Sequence, residues 1–116
     1  MLLPLLKTDI VDICLAIVQD RLDKIKIEWS NKAWVGTVMS SAGYPGSYET
    51  GYPIIGLKNI GKDAVVFQAG TKLGNEGKIY TNSGRVLTLS CTGKDVEEAR
   101  AKVYQNIKNI FSTLSF

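Results

Sequence analysis

The chain has 116 residues and a mass of 12.7 kDa, the size of one domain with one hydrophobic core. Its 45% hydrophobic and 22% charged residues exclude a largely disordered chain, and the absence of histidine excludes a Ser-His-Asp or Cys-His catalytic device. The net charge of +3 comes from dispersed basic residues, such as Lys24, Lys26 and Lys32 interleaved with Asp23 and Glu28, which argues against nucleic acid as a partner.

The N-terminal run MLLPLLK is too short for a secretion signal and lacks a basic start and a cleavage site. No stretch approaches the roughly 20 apolar residues of a membrane span. Cys14 and Cys91 have no CxxC spacing, and each lies in an apolar periodic segment, so we expect two free, buried thiols. These features predict a cytoplasmic protein with no membrane partner.

The first predicted element is an amphipathic helix from Thr8 to Leu22. Apolar side chains recur at spacings of three and four, at Ile10, Ile13, Cys14, Ile17 and Val18. Thr8 is the expected N-cap, and Asp9 and Asp12 suit the positive end of the helix dipole.

Short strands separated by glycines follow, predicted at Ala33 to Ser40, Ala64 to Gln68, Gly77 to Tyr80 and Arg85 to Cys91. The residues Gly74 to Gly77 predict a hairpin turn between Lys72 and Ile79. The apolar run Val86, Leu87 and Leu89 indicates a strand covered by a helix.

A second helix is predicted from Asp95 to Phe111, with one apolar stripe formed by Val96, Ala99, Val103, Ile107 and Ile110. Asp95 and Glu98 have the spacing of a capping box. The order helix, strands, helix predicts an α+β fold, a mainly antiparallel sheet with its helices packed on one face.

The segment Ser40 to Pro53 concentrates glycine, proline and tyrosine. One interpretation is a type II turn, in which Pro45 sets one backbone angle and Gly46 supplies a positive φ. The other is a rigid loop that lines a ligand with its amides and tyrosines.

Two further segments carry polar groups next to glycine. Thr71 and Lys72 follow the bend at Gly70, and Arg85 opens a buried strand. Arg85 could bind a phosphate or carboxylate, or it could close the sheet end with a structural ion pair. We favour the structural interpretation unless the loops converge.

Taken in order, the blocks LPLLKTDIVDI, VGTVMSSAGYPGSYETGYPIIGL, VFQAGTKL, YTNSGRVLTLSCTG and DVEEARAKVY resemble the C-terminal domain of the phosphoribosylamine-glycine ligase family across nearly the whole chain. GYPGSY, AGTKL and GRVL in this order are specific. A tail of the biotin-carboxylase type fits GYPGSY and GRVLTL less well.

The resemblance implies a single C-terminal domain over residues 1–116 of an ATP-grasp ligase of purine biosynthesis, without the N-terminal and ATP-grasp domains. The family joins glycine to 5-phosphoribosylamine while ATP becomes ADP and phosphate, with magnesium or manganese as the metal. The absent domains and the two substrates are therefore the implied partners. We expect no catalytic residue, metal ligand or bound cofactor in this chain alone, and an exposed interface that would allow a homodimer.

Carried over by motif, the implied substrate-binding residues are Gly43, Tyr44, Pro45, Gly46, Thr71, Lys72, Arg85, Lys7 and Asp9. They would position substrates and compensate charge. The position before AGT, often histidine in relatives, is Gln68 here, so an essential imidazole is not expected there. The C-terminal residues 110–116 do not match the family's tail, and the alternative is a stand-alone, non-catalytic interaction module derived from the same domain.

Overall fold

The computed structural model of the chain describes residues 2–110, 114 and 115. Its helices and strands are α1 (Ile10–Val18), β1 (Ala33–Ser41), β2 (Ala64–Gln68), β3 (Thr71–Leu73), β4 (Ile79–Thr81), β5 (Arg85–Gly93), α2 (Val96–Ile107) and β6 (Leu114–Ser115). Among the described residues, no helix has the length and apolar character needed to cross a membrane.

The main sheet has the strand order β2-β5-β1-β6, and each of its neighbouring pairs is antiparallel. β1 and β5 pair along most of their length, from Ala33 opposite Gly93 to Met39 opposite Leu87. The register then shifts, so that Ser40 lies opposite Arg85. The extra residue, Val86, lies in β5, so the shift marks a β-bulge that bends the start of β5.

A separate two-stranded sheet is formed by β3 and β4, with Lys72 opposite Tyr80. Its connection contains Glu76 and Gly77, both with positive φ, at 61° and 71°. The hairpin predicted around residues 74–77 is therefore confirmed.

The hydrophobic core lies between α2 and the main sheet. α2 packs on β5 and β1, and the side chains of Met39, Leu87, Leu89, Cys91 and Val103 are fully buried. Gly93 allows this packing, because a Cβ there would lie 2.5 Å from the Ala99 nitrogen. The predicted α+β class and the predicted helix cover of β5 are both confirmed.

The start of α2 has the cap of the predicted capping box, but the returning bond from Glu98 goes to Lys94, the residue before the N-cap. Asp95 Oδ1 accepts a hydrogen bond from the Glu98 N–H at 2.8 Å, and Glu98 Oε2 accepts one from the Lys94 N–H at 2.8 Å. The predicted apolar stripe is buried from Ala99 onward, but Val96 is exposed. The helix ends at Ile107, and residues 108–110 are not helical, so the predicted continuation to Phe111 is wrong.

The first helix is shorter than predicted, and its N-cap is Asp9. Thr8 is not free to cap, because its hydroxyl donates to the Lys26 carbonyl oxygen and accepts from the Glu28 N–H. Asp9 Oδ1 instead accepts from the Val11 N–H at 2.7 Å.

A Schellman turn ends α1 well before Leu22. Asp20 has a φ of 52°, its N–H donates to the Ile17 carbonyl oxygen, and the Arg21 N–H donates to that of Ala16. The prediction that the helix continues to Leu22 is therefore wrong.

Of the two helices, α2 covers the sheet, whereas α1 packs against the short 3-10 turn Leu22–Lys24. Ala16 is the buried residue of α1. Cys14 and Cys91 are both free thiols, and Cys91 is buried as expected. Cys14 is exposed, because the apolar side of α1 is not covered by the described residues, so the predicted burial of this thiol is wrong.

Candidate functional site

The loop that follows β1 is fastened to the turn that precedes β5. The Ser41 N–H donates to the Gly84 carbonyl oxygen at 2.7 Å, and the Ser41 hydroxyl donates to the Ser83 carbonyl oxygen at 2.9 Å. Ser41 is itself buried. The first residues of the loop are thus held against residues 83–84, although they are more than 40 positions apart in the chain.

The turn inside this loop differs from the predicted one. The positive φ belongs to Gly43, at 93°, and not to Gly46, and the Tyr44–Pro45 peptide bond is cis. A Cβ on Gly43 would lie 2.2 Å from the Ser47 carbonyl oxygen, so the tight turn requires glycine there. The type II assignment is therefore wrong, while the expectation of a structured turn is confirmed.

Two tyrosines of the loop pack over Gly84. The Tyr44 and Tyr48 rings form an edge-to-face pair with centroids 6.0 Å apart. A Cβ on Gly84 would lie 2.2 Å from Tyr44 Cδ2 and 3.1 Å from Tyr48 Cε1. Only a glycine at position 84 lets the aromatic pair lie directly on the backbone next to Arg85.

A third loop, at Gly70, reaches the same place. The Gly70 N–H donates to the Arg85 carbonyl oxygen at 3.0 Å, and the Asn82 N–H donates to the Gly70 carbonyl oxygen at 2.7 Å. A Cβ on Gly70 would lie 2.4 Å from Ser83 Cβ. The loops at residues 42–53, 69–70 and 82–84 therefore converge around the start of β5, and we call this arrangement the loop cluster.

The loop cluster contains an open cleft of about 530 Å³, lined in part by Gly70, Asn82, Ser83 and Arg85. Arg85 is exposed. Within the described part of the chain its guanidinium has no ion-pair partner, so the structural ion pair considered for it is not present there. An exposed guanidinium without an ion-pair partner is suited to an anionic ligand.

A neighbouring cleft of about 340 Å³ is lined by Ala42, Ser47, Tyr48, Glu49 and Tyr52. The Tyr52 hydroxyl donates a hydrogen bond to Glu49 Oε2. That hydrogen bond, together with the negative charge of Glu49, raises the pKa of Tyr52 above its ordinary value of 10.0. Glu49 and Tyr52 were not among the predicted site residues, although Tyr52 belongs to the aromatic cluster noted in the sequence.

Thr71 and Lys72 lie in β3, directly after the Gly70 bend. Thr71 is paired with the buried Thr81 of β4. The hydroxyl of Thr81 in turn accepts a hydrogen bond from the Tyr52 N–H at 3.1 Å. The β3–β4 hairpin is thus joined to the loop cluster, and Lys72 is an exposed cation on that hairpin.

Lys7 and Asp9 lie elsewhere. The Lys7 N–H donates to the Glu28 carbonyl oxygen, and the Asp9 carboxylate caps α1. No hydrogen bond or ion pair between described residues connects either of them to the loop cluster. The predicted site therefore divides into a converging set, residues 43–46 with Arg85 and the β3 pair, and a separate pair near the N-terminus.

The described residues do not include any group of three or more cysteine, aspartate and glutamate side chains placed to hold a metal ion.

Comparisons of the chain with known proteins all find relatives in one family. A family model described as "Phosphoribosylglycinamide synthetase, C domain" matches residues 34–116. The phosphoribosylamine-glycine ligase of Allochromatium vinosum is 41% identical over 116 residues, which is 99% of this chain and 27% of that protein. The bifunctional purine biosynthetic protein purD of Dictyostelium discoideum is 43% identical over 111 residues, 93% of this chain and 14% of that protein.

A solved structure is also similar. The crystal structure of phosphoribosylamine-glycine ligase from Thermotoga maritima matches with a TM-score of 0.64 and 29% identity, covering 85% of this chain and 25% of that one. The chain thus spans about a quarter or less of the length of these relatives.

Proposed function

The chain belongs to the phosphoribosylglycinamide synthetase C-domain family, and from that membership we propose that it supplies the C-terminal part of a phosphoribosylamine-glycine ligase. The proposed reaction joins glycine to the amine of 5-phosphoribosylamine while ATP becomes ADP and phosphate. In this proposal the chain completes the substrate site and does not catalyse the reaction alone.

The observation that carries the proposal is the exposed, unpaired Arg85 at the cleft of the loop cluster. 5-Phosphoribosylamine has a phosphate group, and a planar guanidinium donates two parallel hydrogen bonds to such a group. The loop after β1 lies close by, since its Tyr44 and Tyr48 rings pack on Gly84, the residue before Arg85. Lys72 adds positive charge on the adjoining hairpin.

In this proposal, ATP and a magnesium or manganese ion bind to the part of the ligase outside this chain. When bound there, the ion would neutralise phosphate charge on ATP. The residues of this chain would bind and orient the amine substrate. Orientation of this kind lowers a barrier without any proton transfer by the protein.

A chimeric enzyme tests the proposal. Residues 1–116 replace the matching quarter of the Allochromatium vinosum ligase, and ADP release is measured with and without glycine and 5-phosphoribosylamine. We expect ADP release that requires both substrates. Because a hydrogen bond to a charged group contributes about 1.5–3 kcal/mol, Arg85→Ala should lower kcat/KM for 5-phosphoribosylamine by roughly 10- to 100-fold.

Arg100→Ala is the matched control, since Arg100 is an exposed arginine on α2 that lies over the Tyr104 ring. It should leave kcat/KM unchanged. If the double variant Arg85→Ala and Lys72→Ala is as active as the parent chimera, the site assignment is wrong. A folded chimera with no substrate-dependent ADP release would favour the interaction module instead.

A further inference from the structure

The smaller of the two clefts has an acidic side chain and no basic one among the described residues that line it. These residues are Ala42, Ser47, Tyr48, Glu49 and Tyr52, and we call the space between them the tyrosine cleft. Its volume of about 340 Å³ is at the lower end of the range for sites that bind small molecules. The negative charge repels a phosphate or a carboxylate, so the ligand that suits the tyrosine cleft is a cation.

The charge of Glu49 is not neutralised by a cation within the described part of the chain. The ion pairs among the described residues involve other carboxylates, those of Glu28, Asp63, Glu76 and Glu98. A carboxylate has about four acceptor positions, and the Tyr52 hydroxyl occupies one of them on Glu49 Oε2. The other positions can accept hydrogen bonds from a positively charged N–H group, the strongest class of donor for a carboxylate.

Tyr52 is held in place by β4. The Gly51 N–H donates to the Thr81 carbonyl oxygen at 2.8 Å, and the Tyr52 N–H donates to the Thr81 hydroxyl at 3.1 Å. The Thr81 N–H returns a bond to the Tyr52 carbonyl oxygen at 2.9 Å, and Pro53 pairs with Tyr80 in an antiparallel bridge. The segment around Tyr52 thus runs beside β4, and the hydroxyl that holds the carboxylate is attached to a fixed backbone.

Tyr48 supplies an aromatic ring to the tyrosine cleft. The ring forms an edge-to-face pair with Tyr44, and a Cβ on Gly84 would lie 3.1 Å from Tyr48 Cε1. These contacts fix the ring, while 40% of the side chain stays exposed. The face of a tyrosine ring attracts an ammonium group within about 6 Å of its centre. A carboxylate and an aromatic ring in one cleft are the two kinds of group that recognise an organic ammonium ion.

We infer that the tyrosine cleft binds the protonated primary amine of a small organic molecule, with Glu49 as its counterion and Tyr48 as its aromatic contact. A primary ammonium has N–H donors for the carboxylate and for the Ser47 hydroxyl oxygen, which a quaternary ammonium lacks. A single carboxylate offers too few oxygen ligands for calcium or magnesium. Tyr52 is a positioning residue, because it acts by holding Glu49. The inference uses no residue of the Arg85 cleft and does not depend on the proposed function.

An NMR titration of the 116-residue chain tests the inference. The probes are n-butylammonium chloride and n-butanol, which have the same carbon chain and differ in charge, and sodium chloride keeps the ionic strength constant. The backbone amide signals of residues 47–52 report binding. We expect n-butylammonium to bind at least about 10-fold more tightly than n-butanol, because a hydrogen bond to a charged group is stronger than one to a neutral group.

Variants of the cleft assign the contacts. Glu49→Gln keeps the size of the side chain and should weaken n-butylammonium binding at least about 10-fold, with n-butanol binding unchanged. The matched control is Glu97→Gln, which removes an exposed carboxylate on α2 and should change neither affinity. Tyr48→Leu removes the aromatic face and should weaken n-butylammonium binding by about 2- to 5-fold.

The positioning role of Tyr52 has its own measurement. Tyr52→Phe should weaken n-butylammonium binding when Glu49 is present and should have no further effect in the Glu49→Gln background, because Tyr52 acts through that carboxylate. An equal loss in both backgrounds would show that Tyr52 only supports the loop, and would overturn the positioning role.

Three results would overturn the inference as a whole. One is n-butanol binding as tight as n-butylammonium binding, a comparison that needs no variant. Another is equal n-butylammonium affinity in wild type and Glu49→Gln. The third is n-butylammonium binding at residues 47–52 with a Kd above about 100 mM. Since these titrations involve no ligase activity, their failure leaves the proposed function standing, and an inactive chimera leaves the tyrosine cleft standing.

Discussion

At the scale of single residues, Gly84 determines whether the loop cluster holds together. Gly84→Ala places a Cβ 2.2 Å from Tyr44 Cδ2, so the Tyr44 ring must move off the start of β5. Overpacking of this kind lowers the free energy of unfolding by about 1–3 kcal/mol. Urea denaturation of the isolated chain measures the loss.

The control for Gly84→Ala is Gly61→Ala. A Cβ on Gly61 would lie 3.4 Å from Asn106 Oδ1, an atom at the end of a flexible side chain. The Gly61 N–H, which donates to the same oxygen, is retained in alanine. Equal losses in the two variants would contradict the role assigned to Gly84.

The hydrogen bond between Tyr52 and Glu49, in the cleft that these two residues line, should depend on pH. Glu49 raises the pKa of Tyr52, first through the hydrogen bond and then through its charge. The pair is therefore intact below pH 10 and is lost as pH rises through the raised pKa. Glu49→Gln removes the charge and should lower the pKa of Tyr52 toward 10.0.

A pH titration of the tyrosine ring signals by NMR checks this prediction. Glu97→Gln, which alters an exposed carboxylate in the first turn of α2, is the control and should leave the Tyr52 titration unchanged. If Glu49→Gln also leaves it unchanged, Glu49 does not act on Tyr52.

At the scale of elements, the start of α2 depends on its N-cap. Asp95→Ala removes the acceptor for the Glu98 N–H and should lower the free energy of unfolding by about 1 kcal/mol. Asp95→Ser keeps an acceptor and should retain most of that stability. Urea denaturation of both variants decides the matter, and a similar loss in each would show that the cap is not what stabilises the helix.

Glu98 links this helix start to acid stability. Its pKa is held below the ordinary 4.5 by the Lys94 N–H, the larger cause, and by the Lys102 ammonium. Its contribution is therefore fully present above pH 4.5 and is lost as pH falls through the lowered pKa. Glu98→Gln should flatten the decline of stability between pH 5 and 3 relative to wild type. Glu97→Gln, the matched control, should not; identical curves for wild type and Glu98→Gln would contradict the prediction.

The two helices show what periodicity can and cannot predict. α2 was predicted with its capping box because both depend on residues a few positions apart. The early end of α1 depends on Asp20 adopting a positive φ, and the loss of Thr8 as cap depends on its bonds to residues 26–28. Periodicity identified the apolar side of α1 correctly, but it carries no information about what covers that side.

At the scale of the whole molecule, the loop cluster depends on contacts between distant segments. The sequence identified a turn within residues 43–46, the Gly70 bend and Arg85 separately, although it placed the positive φ at Gly46 and not at Gly43. Their convergence follows from the β1–β5 register, which brings Ser40 opposite Arg85, and from three glycines that allow close backbone approach. No local sequence pattern determines that register. The two clefts and the contact between Glu49 and Tyr52 could therefore be found only from the structure.

The isolated chain should not hydrolyse ATP. It has no histidine, and its described residues contain no metal-ligating group of three acidic or thiol side chains. The positive charge at Arg85 can bind an anion but cannot by itself activate water or replace the ion that phosphoryl transfer uses. In the presence of magnesium, the rate of ADP release from ATP with the purified chain should therefore equal the rate in buffer without protein. The chimera should release ADP when both substrates are present. The contradicting result would be ATP hydrolysis above background that co-purifies with the chain and is lost with Arg85→Ala. It would show that these loops catalyse a reaction on their own, whereas we propose that the chain only binds and orients a substrate.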